Sequence, residues 1–303
     1  MPNWNAVLEE IKSKSGETAY PHDVVRQGYL AKLHAFTGRT VIAYYSGFLS
    51  MPGIRGIEIN DEDKNGFMMC IHETERKDGL DLILHTPGGD LAATESLIHY
   101  LKEMYGHDIR AIIPQIAMSA GTILACACKA IVMGKHSNLG PIDPQFGGIP
   151  AFGVITEIER AYEDISKDPK YAHIWNPILS NLTPSFVQQC HWAVERAKEY
   201  GKEVLLDNMF ADMEGGAELA RKVSDRLSDL SINKEHNRHI HCQEAIEEMR
   251  LNIEILEDSP DMQDLVLTVH HCYMHTLNNA PALKIIENHK GRTFAKILQT
   301  QAR

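Results

Sequence analysis

Between Gln115 and Ala127 the sequence reads QIAMSAGTILACA, setting one hydroxyl, Ser119, among small residues where an apolar run ends and a helical pattern begins. The first N–H groups of a helix are unpaired and favour negative charge, and small neighbours let a substrate come close. A serine there can act as a nucleophile that passes through an oxyanion; the plainer alternative is a serine that only caps the helix. Upstream, TPGGD at Thr86–Asp90 places Gly88 and Gly89 side by side, and backbone without Cβ atoms can approach a substrate closely. One N–H from that turn and one from Ala120 would make a pair of oxyanion donors. Downstream, LGPIDPQ holds Asp143 between two prolines in a stiff loop. A serine hydroxyl also needs a base, and neutral imidazole has a suitable pKa. The polar segment EHNRHIHC supplies His236, His239 and His241.

The elements around these residues alternate. Apolar spacing predicts helices at 4–14 and 23–36, forming an N-terminal helical arm. Strands are expected at Thr40–Phe48, Leu80–Thr86, Ile109–Gln115 and Ala130–Gly134, with helices to about Glu75, at Ala92–Tyr105 and at Ser119–Cys128 between them. This order implies an α/β fold with a mostly parallel sheet flanked by helices. Beyond a Pro/Gly-rich loop, helices are expected at 153–166, 184–210, 215–228 and 245–250, with a short strand near Asn252–Leu256. The tail from 260 to 303 reads as helical. The division that follows is an arm at 1–37, a central domain at 38–258 and a helical C-terminal tail at 259–303.

TPGG, then SAGT at Ser119–Thr122, then LGPIDPQ, in this order and spacing, resemble the SDH-family (serine dehydrogenase proteinase) Clp-fold serine proteinases, relatives of ClpP and of SppA peptidases. The resemblance runs from about Val24 to about Asn252. It implies a ClpP/crotonase-like fold of repeated β-β-α units and a serine-type peptidase. In that frame Ser119 is the nucleophile, the N–H groups of Gly89 and Ala120 bind the oxyanion with Gly88 in the same turn, and Asp143 is the acid. Aligning the family's EA…L segment on Glu244-Ala245 and Leu251 puts the histidine on His236. This chain lacks the Thr before that histidine and the Pro three residues after it, so His239 and His241 stay as rival bases. SppA-like relatives use a lysine, and near that spacing stand Arg160, Lys167 and Lys170. The resemblance further implies a peptide or protein substrate and a homo-oligomer with arm or tail helices at its contacts. The peptidase would be ATP-independent, or a separate unfoldase or regulatory partner would supply any unfolding, since no P-loop is present. A crotonase-like acyl-CoA enzyme and a catalytically silent scaffold are the competing readings.

A net charge of −11, with no basic stripe among aromatics, argues against nucleic acid. No apolar stretch reaches membrane-spanning length, and the charged N-terminus does not read as a signal peptide, so no membrane insertion is expected. Six scattered cysteines without an export signal suit reduced, buried thiols and a cytoplasmic location. HIHC at His239–Cys242 and HHCYMH at His270–His275 lack paired metal-ligand spacings, and no dinucleotide fingerprint is found, so neither metal nor cofactor is expected. NDEDKNG, from Asn60, reads as a helix cap and solvated face.

Overall fold

Aliphatic and β-branched runs that leave no polar face become strands covered on both sides. The computed structural model describes residues 4–229, 233 and 235–298. It divides into two compact units, 1–139 with 240–303, and 140–239. The first unit contains β1 (Thr40–Ser46), β2 (Leu80–His85), β3 (Ile109–Ile113), β4 (Ile116–Ala117), β5 (Ala130–Met133) and β6 (Asn138–Leu139). A small hairpin in the second unit supplies β7 (Gln145–Phe146) and β8 (Ile149–Pro150). The chain then returns to the first unit with β9 (Ile240–His241), β10 (Ile253–Ile255), β11 (Ala282–Asn288) and β12 (Thr293–Ile297).

The main sheet has seven strands in the order β10-β5-β3-β2-β1-β11-β12. From β10 to β1 every neighbouring pair is parallel, whereas β11 and β12 add on antiparallel. A mixed α/β architecture with a mostly parallel central sheet is therefore present, as the alternation of elements implies. Every residue of β1 and β2 is buried.

Helices α1 (Trp4–Lys14), α2 (Pro21–Thr37), α3 (Asp63–Ile71), α4 (Leu91–Tyr105) and α5 (Ala120–Cys126) belong to the first unit. The second unit holds α6 (Ala151–Lys167), α7 (Ala172–Leu179), α8 (Pro184–Val204) and α9 (Gly216–Ser228). Helices α10 (Cys242–Glu247) and α11 (Pro260–Asn279) lie in the first unit again. Asp90 caps α4 by accepting from the Ala93 N–H at 2.7 Å.

The N-terminal helices expected as an arm pack onto the core of this unit. Leu30 and Leu33 of α2 share one core with Val41, Tyr45, Ile83 and Ile112 of the sheet and with Val266, Val269 and Tyr273 of α11. The described tail is not helical throughout: α11 is followed by β11 and β12, which extend the sheet beyond β1. Lys284 and Glu287 interrupt the apolar pattern of β11, yet both are fully buried, Lys284 against Asp63 and Glu287 against Arg26. Asp63 is thus a buried ion-pair partner, not part of a solvated face. A tail cut at residue 260 would strip β1 of a neighbour rather than merely expose a contact surface.

Within the second unit, Ala151 and Val154 of α6 pack with Cys190 and Val194 of α8. Helix α7, not anticipated because Pro177 interrupts its pattern, buries none of its residues. The helix expected over 184–210 continues past α8 as a π-turn at Leu205–Met209.

Candidate active site

The serine side of the site is built at the C-terminal ends of β2 and β3. Beyond β2, Thr86 donates its N–H to the Ile116 carbonyl at 3.2 Å and accepts from the Met118 N–H at 3.0 Å. These bonds carry the chain from β4 into a sharp turn at Ser119, whose φ of 52° and ψ of −120° are unusual for any residue with a Cβ. The Thr122 and Ile123 N–H groups donate to the Ser119 carbonyl at 2.8 and 3.2 Å, which starts α5. The Ser119 hydroxyl makes no capping bond. It is part-exposed and has no hydrogen-bond partner among the described residues. A plain N-cap serine would have spent that hydroxyl on the helix.

Two glycines fit closely around this turn. At Gly88, φ is 94°, and a Cβ would lie 2.6 Å from the Met118 carbonyl oxygen and 2.7 Å from the Ser119 Cβ. At Gly89 a Cβ would meet the Ile59 backbone nitrogen and oxygen at 2.3 and 2.4 Å. Ile59 is fixed there by its N–H to the Gly88 carbonyl, 2.8 Å, and by the Asp90 N–H to its own carbonyl, 2.9 Å. The Gly88 N–H donates to Thr86 Oγ1 at 3.1 Å, so Gly88 shapes the turn and is not a spare donor. The N–H groups of Gly89 and Ala120 donate to no described residue. Ala120, which follows the serine, and Gly89, next to the Gly88 that abuts it, thus each keep an N–H without a described acceptor.

The second unit carries the acid and one histidine. The Ile142 N–H donates to the Leu227 carbonyl and the Pro144 carbonyl accepts from the Ala151 N–H, both at 2.9 Å, pinning the Asp143 loop on either side. Asp143 is 1% exposed, and its Oδ1 lies 2.8 Å from His236 Nδ1. With Nδ1–H given to the carboxylate, Nε2 is left as an acceptor, the form a general base requires. Oδ2 of Asp143 is buried without a partner among the described residues. Asn233 was not singled out from the sequence. Its amide donates to the Arg226 and Leu227 carbonyls at 2.9 and 3.2 Å, so the histidine segment and the acid loop hang from the same helix end. An asparagine a few residues past a helix C-terminus was the available signal.

The rival histidines make no such contact with a described carboxylate. His239 is exposed with no described partner, and His241 is exposed in β9, opposite Asn138, in the first unit. Arg160 and Lys167 make surface pairs along α6 with Asp164 and Glu163 at 3.9 and 3.6 Å, and Lys170 is exposed. His270 and His275 are taken into the core, bonded to the Tyr45 hydroxyl and the Trp4 carbonyl. The structure thus brings Ser119 together with Gly88, Gly89 and Ala120 in one unit, and Asp143 with His236 in the other.

The model of the ClpP-like SDH-type serine proteinases matches residues 25–227. The chain belongs to this family. The matched span includes Ser119, both glycines and Asp143, and stops before His236. Two similar proteins are uncharacterized proteins of Methanocaldococcus jannaschii. One is 32% identical over 181 residues, covering 60% of this chain and 54% of its own; the other is 34% identical over 166 residues, covering 52% and 55%. The chain thus spans about half the length of these relatives. No solved structure matches it.

Proposed function

We propose that the chain is a serine peptidase in which Ser119, His236 and Asp143 act as a triad and the N–H groups of Gly89 and Ala120 hold the oxyanion. The observation that carries this reading is the turn at Ser119: a strained backbone, a hydroxyl with no described partner, and Gly88 packed against it, with N–H groups of Ala120 and Gly89 that have no described acceptor. Ser119 Oγ attacks the scissile carbonyl while His236 Nε2 takes its proton. Charge then develops on the carbonyl oxygen, and donors already aimed at it need no reorganisation. The imidazolium, stabilised by Asp143, returns the proton to the leaving amine. Water, activated by the same imidazole, releases the acyl group.

Peptides or unfolded proteins are the substrate class. Six free, buried cysteines support a reducing, cytoplasmic setting. No helix among the described residues is long and apolar enough to cross a membrane. A homo-oligomer of ClpP/crotonase-like protomers, served by a separate unfoldase, completes the reading. Labelling with a fluorophosphonate tests it. The probe is expected on Ser119 of the wild type and on no residue of Ser119→Ala, with peptide hydrolysis lost in that variant. Hydrolysis that survives in Ser119→Ala, or that acts on acyl-CoA thioesters instead of peptides, overturns it.

A further inference from the structure

Immediately before the Thr86 turn stands a fully buried histidine that the triad does not use. His85 Nε2 lies 3.1 Å from the Gln115 side-chain oxygen, and Nδ1 lies 3.3 Å from the Ser46 carbonyl oxygen. A neutral imidazole has one N–H; given across the shorter contact, to Gln115, it ties the two side chains together. Burial pushes the His85 pKa down to about 4, in keeping with the neutral form. Its ring is further held by stacking on Tyr45 at 5.3 Å and by Phe48 at 4.9 Å. Gln115 is anchored in turn, its carbonyl accepting from the Asn138 N–H at 2.7 Å.

Next to this side-chain link run the backbone bonds that join Thr86 to Ile116 and Met118. His85 adjoins the residue that leads to the Gly88–Gly89 turn, and Gln115 precedes the strand that leads to Ser119. We propose that His85 and Gln115 are positioning residues, a side-chain brace that sets the spacing between the oxyanion turn and the Ser119 turn. The proposal rests on Ser119 being the nucleophile for its effect on rate, though not for its effect on the two turns. An error of about 1 Å between nucleophile and donors costs roughly a hundredfold in rate.

His85→Phe keeps the ring and removes the hydrogen bond; Gln115→Met, at a half-buried residue, is the milder break should His85→Phe fail to fold. Two readouts are taken on full-length protein: amide hydrogen exchange over 86–90 and 115–121, and the rate of fluorophosphonate labelling with kcat and KM for a peptide. Either variant is expected to speed exchange in both segments and to slow labelling and kcat by roughly ten- to a hundredfold, with KM within about twofold. The double variant should be no slower than the worse single one, and Gln115→Glu, which keeps an acceptor, should recover most of the rate. Exchange that stays at the wild-type level in both segments overturns the brace, whatever the labelling. Faster exchange in a protein whose wild type is never labelled supports the brace and overturns the assignment of Ser119.

Discussion

The Ser119 turn in the first unit and the His236–Asp143 pair in the second are held by different means. Around Ser119 the backbone is bonded in several directions, and the glycines sit so close to Met118, Ser119 and Ile59 that no larger residue fits. Around His236 a single carboxylate oxygen is engaged, the imidazole is 25% exposed, and the segment hangs on the amide of Asn233. The contrast matches the two tasks that the proposed triad would give them. Oxyanion donors act by being aimed before charge develops, so their error must be small. A base that shuttles a proton has to change partners during the cycle and gains from a ring that can adjust.

Substitutions can break or sharpen that contrast. The largest effect is expected at the proposed triad. Ser119→Ala and His236→Ala should lower kcat by roughly 10⁶, and Asp143→Asn by about 10⁴, with urea unfolding little changed. His239→Ala and His241→Ala should hydrolyse peptide at wild-type rates; a dead His239→Ala beside a live His236→Ala would move the base. Next come the charges that lock the first unit. Lys284→Met leaves Asp63 buried without its ion partner and is expected to cost about 3–5 kcal/mol in urea unfolding.

A smaller effect should appear in acid. His85 titrates at about 4 in the folded chain against 6.5 unfolded, so between those values the unfolded state binds more protons and stability rises with pH. Its contribution is complete above about pH 6.5 and falls on the order of 3 kcal/mol by pH 4. Stability curves for His85→Phe should be flatter over that window. They should not be flat, because burial shifts His270 and His289 the same way. The smallest effect belongs to the second unit: Ile174→Asp, on a side chain 59% exposed, should change stability by less than about 0.5 kcal/mol. A loss of several kcal/mol there would mean that a partner covers α7.

Much of the first unit was legible in the sequence because strands buried on both faces leave long apolar runs. β11 was not. Lys284 and Glu287 stand three residues apart, the spacing of a helical pair, whereas their partners Asp63 and Arg26 lie over 200 positions away. No local pattern records an ion pair of that range. The same distance hid the burial of Asp63 within an acidic stretch. In the site, the glycine pair, the serine and the proline-flanked aspartate could be read because each sits at a constrained turn. The choice among His236, His239 and His241 could not be made from local chemistry, since all three lie in one polar segment. What separates them is which one reaches Asp143, a contact 93 positions apart in sequence.

The placing of β11 between β1 and β12 has a consequence for how the chain is made. A ribosome delivers β1, Arg26 and Asp63 long before residues 284–287. Until that late segment emerges, one edge of β1 offers unpaired backbone groups to any passing strand, and two charged side chains lack their burial partners. Completion of the sheet thus waits on β11 and β12, long after β1 has been made. A nascent chain stalled before residue 282 carries an open, adhesive sheet edge, a state for chaperones to shield.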